Sequence, residues 1–320
     1  MTLLKKHSVQ FKIQMHDNRI REILGETVKK GTIHFNYSLK NLTSAKIGGP
    51  ADFFIETSDT KELQSVFTIS QELGVPIFIL GGGSNLIFQS TGYRGIVLKL
   101  PNQPHTVSKT GDQTILNVSG GSIVNLVATK LIDEGIGGFE YMYGLPGTVG
   151  GAIYMNSKWP HDNYQTSDTL LGVDYLSIDG KLSHFRADAL HFSYGYSDFQ
   201  NMKGIILSAR FLVHLSDKGS VHNKSHEVLE YRKATQPFGV FTSGCVFKNP
   251  GTTSAGYLID QCGLKGYVGN HLAISPVHAN FFVNDGNATS EEYLHLIQKV
   301  KEAVRAKFGI LLREEVLVVQ

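Results

Sequence analysis

Pro76-Ile77-Phe78-Ile79-Leu80-Gly81-Gly82-Gly83-Ser84-Asn85-Leu86 runs a short apolar strand directly into three consecutive glycines. Glycine accepts close approaches that a Cβ forbids. Such a run can therefore press its backbone against a ligand and offer successive N–H groups to phosphate oxygens, with the Ser84 hydroxyl as a further donor. Gly144-Leu145-Pro146-Gly147-Thr148-Val149-Gly150-Gly151 offers the same chemistry with Thr148, and Lys46-Ile47-Gly48-Gly49-Pro50 adds a third glycine-bearing segment. Each alone reads equally well as a tight turn. Three in one region point to a pyrophosphate-bearing ligand. The first cluster lacks the last glycine of GxGxxG and the second lacks the Lys-Ser/Thr ending of a Walker loop, which disfavours Rossmann and P-loop readings. HExxH and GxSxG are also absent, which disfavours zinc proteases and α/β-hydrolases.

Outward from the glycines the chain alternates strands and helices. Asp52 to Glu56 reads as a strand, and Asp59 and Thr60 can cap a helix carrying Leu63, Val66, Phe67 and Leu73 that ends at Gly74. Gly95 to Leu100 is a further strand. A second unit follows: Ile115 to Val118 as a strand, then a helix from Ser122 with Ile123, Leu126, Val127 and Leu131 on one face, closed by Gly135. Asp174 to Ile178 and Ile205 to Val213 read as strands, and the polar stretch 217–227 reads as a linker. The last unit has a strand at Ala279 to Val283. It also has a helix whose Thr289 and Glu292 have capping-box spacing and whose stripe is Leu294, Ile297, Val300, Val304 and Phe308. Val316 to Val319 reads as a strand able to return to another lobe. The expected division is a leader at 1–30, lobes at 31–103 and 104–216, the linker, a domain at 228–310 and a returning strand at 311–320.

With 320 residues, 41% of them hydrophobic, the chain can bury several cores. A formal net charge of +2, with basic and acidic residues interspersed, argues against a nucleic-acid surface. No apolar run has the length of a membrane span, and the polar start does not resemble a secretory signal. Two cysteines, Cys245 and Cys262, do not form a CxxC pair, so neither a disulfide framework nor a metal site is expected. The expectation is a cytoplasmic monomer without membrane partners.

Asn41 to Asp52, Leu80 to Leu86 and Gly144 to Ala152 resemble, in order, the FAD-binding segments of the UDP-N-acetylenolpyruvoylglucosamine reductases. The likeness continues through Gly244-Cys245-Val246-Phe247-Lys248-Asn249-Pro250, Ala255 to Asp260, Gly263 to Gly266, His278 to Phe281, Phe308-Gly309 and Glu315-Val316. The resemblance implies an α+β fold: a two-lobed FAD-binding domain of the vanillyl-alcohol-oxidase/PCMH type with a C-terminal α/β substrate lobe. No extra segment follows Ile206, as in the shorter subclass. It also implies FAD as cofactor, NADPH as hydride donor and a small nucleotide sugar as substrate, reduced for peptidoglycan synthesis. Hydride would pass to C3 of the enolpyruvyl group while an acid protonates C2.

Carried over residue by residue, the resemblance assigns the proton donor to Cys245, where the family usually has serine. A thiol with an ordinary pKa of about 8.5 is the stronger acid. Glu315 would assist on the acid side. Cofactor contacts would come from Lys46, Ile47, Gly48, Gly49, Pro50, Gly81, Gly82, Gly83, Ser84, Asn85, Gly144, Pro146, Gly147, Thr148, Gly150 and Gly151. Substrate contacts would come from Tyr194, Arg232, Lys248, Asn249 and Asn280, with Lys248, Asn249 and Asn280 on the diphosphate or sugar. Two segments depart from the family pattern. Gly195 stands where an arginine would neutralise the enolpyruvyl carboxylate, with Lys158 or Arg232 as candidate substitutes, and Ser157-Lys158-Trp159-Pro160-His161 is unusual. The departures leave open an FAD enzyme with another substrate, or a binding protein that has lost catalysis.

Overall fold

The structure, a computed structural model, describes residues 18–159 and 164–320. The start of the leader, Pro160 and His161 therefore lie outside the described residues. The first lobe is a sheet in the order β1 (Thr32–Ser38), β2 (Pro50–Glu56), β5 (Tyr93–Lys99), β3 (Ile77–Leu80). β1 pairs antiparallel with β2, and β2 and β3 flank β5 in parallel. Helix α2 (Thr60–Glu72) makes the crossover from β2. It starts where Asp59 accepts the N–H groups of Lys61 and Glu62, an N-cap worth about 1 kcal/mol.

Helix α1 (residues 18–27) corrects the leader boundary. Its Ile20 and Leu24, with Val28 just beyond, are buried with Leu63, Val66 and Phe67 of α2 in the core of this lobe. Their four-residue spacing is a helical stripe too sparse to stand out among the charges around it.

The second lobe is antiparallel. Its strands lie in the order β9 (Leu182–Arg186), β8 (Leu170–Ser177), β10 (Gly204–Leu215), β7 (Gln113–Ser119), β6 (Thr106–Thr110). Helix α3 (Val124–Glu134) ends at Gly135, whose φ of 72° is left-handed. The face that α3 buries is Val124, Val127, Ala128, Leu131 and Ile132, whereas Ile123 and Leu126 are exposed. The helix offers two overlapping apolar stripes, and packing on the sheet selects the second.

Residues 217–227, read as a linker, instead enter α5 (Lys218–Thr235), which Asp217 caps through the Ser220 N–H. Its buried positions Val221, Ser225, Val228 and Arg232 follow a helical period. Half of that stripe is polar, which is why composition alone suggested a loop.

The third lobe packs α6 (Ala255–Gln261), the hairpin of β11 (Leu272–Ile274) and β12 (Phe282–Asn284), and α7 (Ser290–Phe308). The capping box of α7 forms as expected, with Thr289 and Glu292 each accepting the other's N–H. Its buried stripe begins at Tyr293 and Leu296 rather than Leu294, and Phe308 is partly exposed. β13 (Leu317–Val319) returns to the first lobe and pairs in parallel with β4 (Leu86–Phe88), the strand that follows the Gly81–Asn85 loop. That return carries Glu315 to the mouth of the glycine cleft.

Candidate active site

The three glycine segments converge. A Cβ added to Gly82 would lie 2.3 Å from Gly147 Cα, and one added to Gly83 would lie 2.0 Å from the Leu42 carbonyl oxygen. Only glycine lets this loop lie between the 42–50 segment and the turn before α4 (Val149–Met155). The Ser44 N–H donates to the Gly83 carbonyl at 2.9 Å. Two asparagines hold the outer segments. Asn284 Nδ2 donates to the Ala45 carbonyl at 2.8 Å, and Asn125 Oδ1 accepts the Gly144 N–H at 2.8 Å. Neither had a signal in the sequence, since each acts from a helix or strand of another segment.

Within this cleft the N–H groups of Gly81, Gly82, Gly83, Ser84, Asn85, Gly147 and Thr148 donate to no acceptor among the described residues. Successive bare N–H donors in a concave backbone suit an anionic diphosphate. The residues present therefore fit FAD, whose two halves are joined by that group. Two of the expected residues turn their side chains away from the cleft. Lys46 gives its ammonium to the Asn41 carbonyl at 3.1 Å and its φ of 55° to a turn. Ile47 is buried in the core of the third lobe.

The side-chain half of the site is a seam of backbone pairing in the third lobe. Val246 donates to the Asn280 carbonyl at 2.8 Å, Lys248 donates to Arg313 at 2.9 Å, and the Val246 carbonyl accepts from Glu315 at 2.8 Å. These bonds align Cys245, Lys248 and Glu315. Tyr194 arrives from the second lobe, and its hydroxyl donates to Glu315 Oε2 at 3.4 Å.

Burial, and next the Glu315 carboxylate, push the Cys245 thiol up to about 12, against a hydrogen bond from Asn280. Burial also raises the Glu315 carboxyl above its ordinary value, while the Lys248 ammonium and the Tyr194 hydroxyl oppose the rise. Burial and Glu315 push the Tyr194 phenol up to about 12. The thiol and phenol therefore keep their protons at neutral pH, and Lys248 is a cation in their midst.

The other expected substrate residues also carry structural bonds. Asn280 is buried, and its carboxamide brackets the Phe247 backbone at 3.0 Å and 2.7 Å. Its place is behind Cys245, where its second N–H also reaches the thiol. Asn249 Oδ1 accepts the Ala255 N–H at 2.9 Å and closes the loop before α6. Arg232 is buried, donates to the carbonyls of Tyr143 and Tyr141 at 3.1 Å and 2.9 Å, and lies 4.8 Å from the Trp159 ring centroid. Burial lowers it to about 10. It is a strut of the second lobe rather than a free cation.

Two families match separate stretches of the chain. Residues 51–186 match the FAD binding domain family, and residues 236–319 match the family described as UDP-N-acetylenolpyruvoylglucosamine reductase, C-terminal domain. The chain is 39% identical to the UDP-N-acetylenolpyruvoylglucosamine reductase of Protochlamydia amoebophila, over 88% of this chain and 92% of that one. It is 35% identical to the Bacillus subtilis enzyme of the same name, over 90% and 94%. The crystal structure of UDP-N-acetylenolpyruvylglucosamine reductase from Thermus caldophilus superposes with a TM-score of 0.75 at 29% identity, covering 91% of this chain and 99% of that one. With identities of 35–39% over about nine-tenths of both chains, the chain belongs to the UDP-N-acetylenolpyruvoylglucosamine reductase family.

Proposed function

We propose that the chain is a cytoplasmic, FAD-dependent reductase that converts UDP-N-acetylenolpyruvoylglucosamine to UDP-N-acetylmuramate with NADPH as hydride source. The observation that carries this reading is the meeting of a proton-holding Cys245 thiol with Glu315 at the mouth of a cleft lined by bare backbone N–H groups. When bound, FAD supplies the hydride that C3 of the enolpyruvyl group receives. Gly81 to Asn85, Gly147 and Thr148 would hold its diphosphate.

The protein's own contribution is the proton. Cys245 protonates C2 once the hydride has added at C3, and its raised pKa ensures that the acid form is the one present. Asn280 fixes the thiol, and Tyr194 fixes the Glu315 carboxylate that borders it. Glu315, whose pKa burial raises, borders the thiol and is placed to relay back the proton that Cys245 gives up.

The test is anaerobic. NADPH should bleach the flavin absorbance of the purified protein, and UDP-N-acetylenolpyruvoylglucosamine should restore it. Bleaching without restoration would overturn the substrate, and a protein that takes up no FAD would overturn the reading altogether.

A further inference from the structure

We propose that the Lys248 ammonium, standing over Gly195, is the cation that grips the enolpyruvyl carboxylate during reduction. The inference rests on the reaction proposed above and names the residue that supplies its missing charge.

Gly195 lies in the turn between two two-residue strands, Phe192–Ser193 and Tyr196–Ser197. Its φ of 62° is left-handed, a conformation in which an arginine would be strained. A Cβ built on it would meet Lys248 Nζ at 3.9 Å and Cε at 4.0 Å. The space that a side chain at position 195 would enter is thus the space that the Lys248 head group already borders. The turn is held in place, because the Gly195 carbonyl accepts from Gln200 Nε2 at 3.0 Å and the buried Ser197 hydroxyl donates to the Tyr154 carbonyl at 2.8 Å. Lys248 is anchored from the other lobe through the Arg313 carbonyl. The charge therefore comes from the segment that also carries Cys245, not from the hairpin.

One rival cation is committed, and the other stands against the Tyr194 ring instead of over Gly195. Arg232 is spent on two carbonyls and Trp159, and Lys158 is exposed, 5.8 Å from the Tyr194 ring centroid. Lys248 also acts on Glu315, whose carboxyl it opposes burial to keep ionisable.

The chemistry calls for such a charge. As hydride supplied through NADPH and FAD adds at C3, the π pair moves onto C2 and its carboxylate. Cys245 then delivers a proton to C2, and the thiolate recovers one from Glu315 or water. A cation against the carboxylate stabilises the doubly negative species, an effect of roughly 10²–10³ in rate. Lysine does this as a point charge, without the bidentate geometry of arginine.

The experiment follows flavin reoxidation by UDP-N-acetylenolpyruvoylglucosamine in the FAD-loaded parent, Lys248→Met and Lys248→Arg, after reduction by NADPH. The expected result is a loss of about 10²–10³ in kcat/KM for Lys248→Met and a loss under about tenfold for Lys248→Arg, with reduction by NADPH unchanged in both. The groups facing Glu315 are Lys248, Tyr194 and Cys245. Removing the one cation among them should move the Glu315 inflection in the pH–rate profile to higher pH. Reoxidation of Lys248→Met within threefold of the parent, or an unmoved inflection, would overturn the proposal. A parent that the substrate cannot reoxidise would instead sink the reaction itself, and this inference with it.

Discussion

The glycine cleft and the Cys245 seam face one another, yet they are built from opposite materials. The cleft is backbone. Its donors are N–H groups, and its shape comes from loops packed so closely that a Cβ at Gly82 or Gly83 would overlap a neighbouring main chain. The seam is side chain: a thiol, a carboxyl, a phenol and an ammonium from three distant segments, tuned by burial and by one another. A backbone site tolerates almost no substitution but needs no particular charge. A side-chain site can exchange one residue for another that brings the same proton or charge to the same place. Cys245 in place of serine and Gly195 in place of arginine both fall on the second side.

On the backbone side the effect should fall on cofactor binding. Gly82→Ala forces its Cβ to within 2.3 Å of the Gly147 main chain, which costs about 3 kcal/mol or more. FAD affinity should fall roughly 100-fold, measured by flavin absorbance against free FAD concentration. Retained flavin would mean that the three loops yield, and the contrast between the regions would weaken.

On the side-chain side, Cys245→Ala should take up FAD and accept hydride from NADPH normally, yet lose about 10²–10⁴ in the rate of reoxidation by substrate. Cys245→Ser should recover most of that loss. Because the thiol keeps its proton until about pH 12, its ionisation gives the parent no loss of rate between pH 6 and about pH 9. Alkylation of Cys245 by iodoacetamide should be slow in that range, since the thiolate is the nucleophile. Rapid alkylation at pH 7 would show a thiol that does not hold its proton.

The two regions also differed in how much the sequence disclosed. Glycine clusters after apolar strands announce a backbone site directly, because no other residue fits. The caps at Asp59 and at Thr289 with Glu292 were readable for a similar reason, being local rules of three or four residues. The seam was readable only through resemblance, and its charges were misplaced. Arg232 looked available but is buried. Lys248 looked like a diphosphate ligand, yet it borders Gly195, a contact that exists only after the second lobe's hairpin meets the third lobe. Helices α1 and α5 escaped detection because their buried stripes are sparse, Ile20 with Leu24 in one and Val221, Ser225, Val228 and Arg232 in the other.

Glu62 provides a control outside both regions. It is buried, with Oε1 accepting the N–H groups of Lys29 and Lys30 at 2.6 Å and Oε2 accepting the Thr57 hydroxyl at 2.6 Å and the Gly31 N–H at 3.1 Å. Burial works to raise its pKa, but these bonds together hold it below the ordinary value. A depressed folded pKa means the stabilisation is present above the unfolded value of about 4.3 and is lost as pH falls through the folded one. Glu62→Ala should cost about 3 kcal/mol in urea unfolding at pH 7, and less at pH 3, while leaving FAD affinity and reoxidation rate intact. A selective loss of flavin would show that the first lobe transmits strain to the cleft.

Asn85 belongs to both regions and should give the smallest effect. Its N–H is one of the bare donors of the cleft, while its carbonyl accepts the Leu317 N–H at 3.0 Å and its carboxamide donates to the Glu315 carbonyl at 3.1 Å. The main-chain bond survives substitution, so Asn85→Ala removes the tie to Glu315, worth about 1 kcal/mol, and a weaker 3.6 Å bond to the Met155 sulfur. If that tie sets where the carboxyl stands, reoxidation by substrate should slow about fivefold and the Glu315 inflection should shift, with FAD affinity within twofold of the parent. An equal loss in FAD affinity and turnover would assign the Asn85 side chain to the cleft alone. A shift confined to the substrate half-reaction would make it the one side chain through which the backbone site sets the position of the acid.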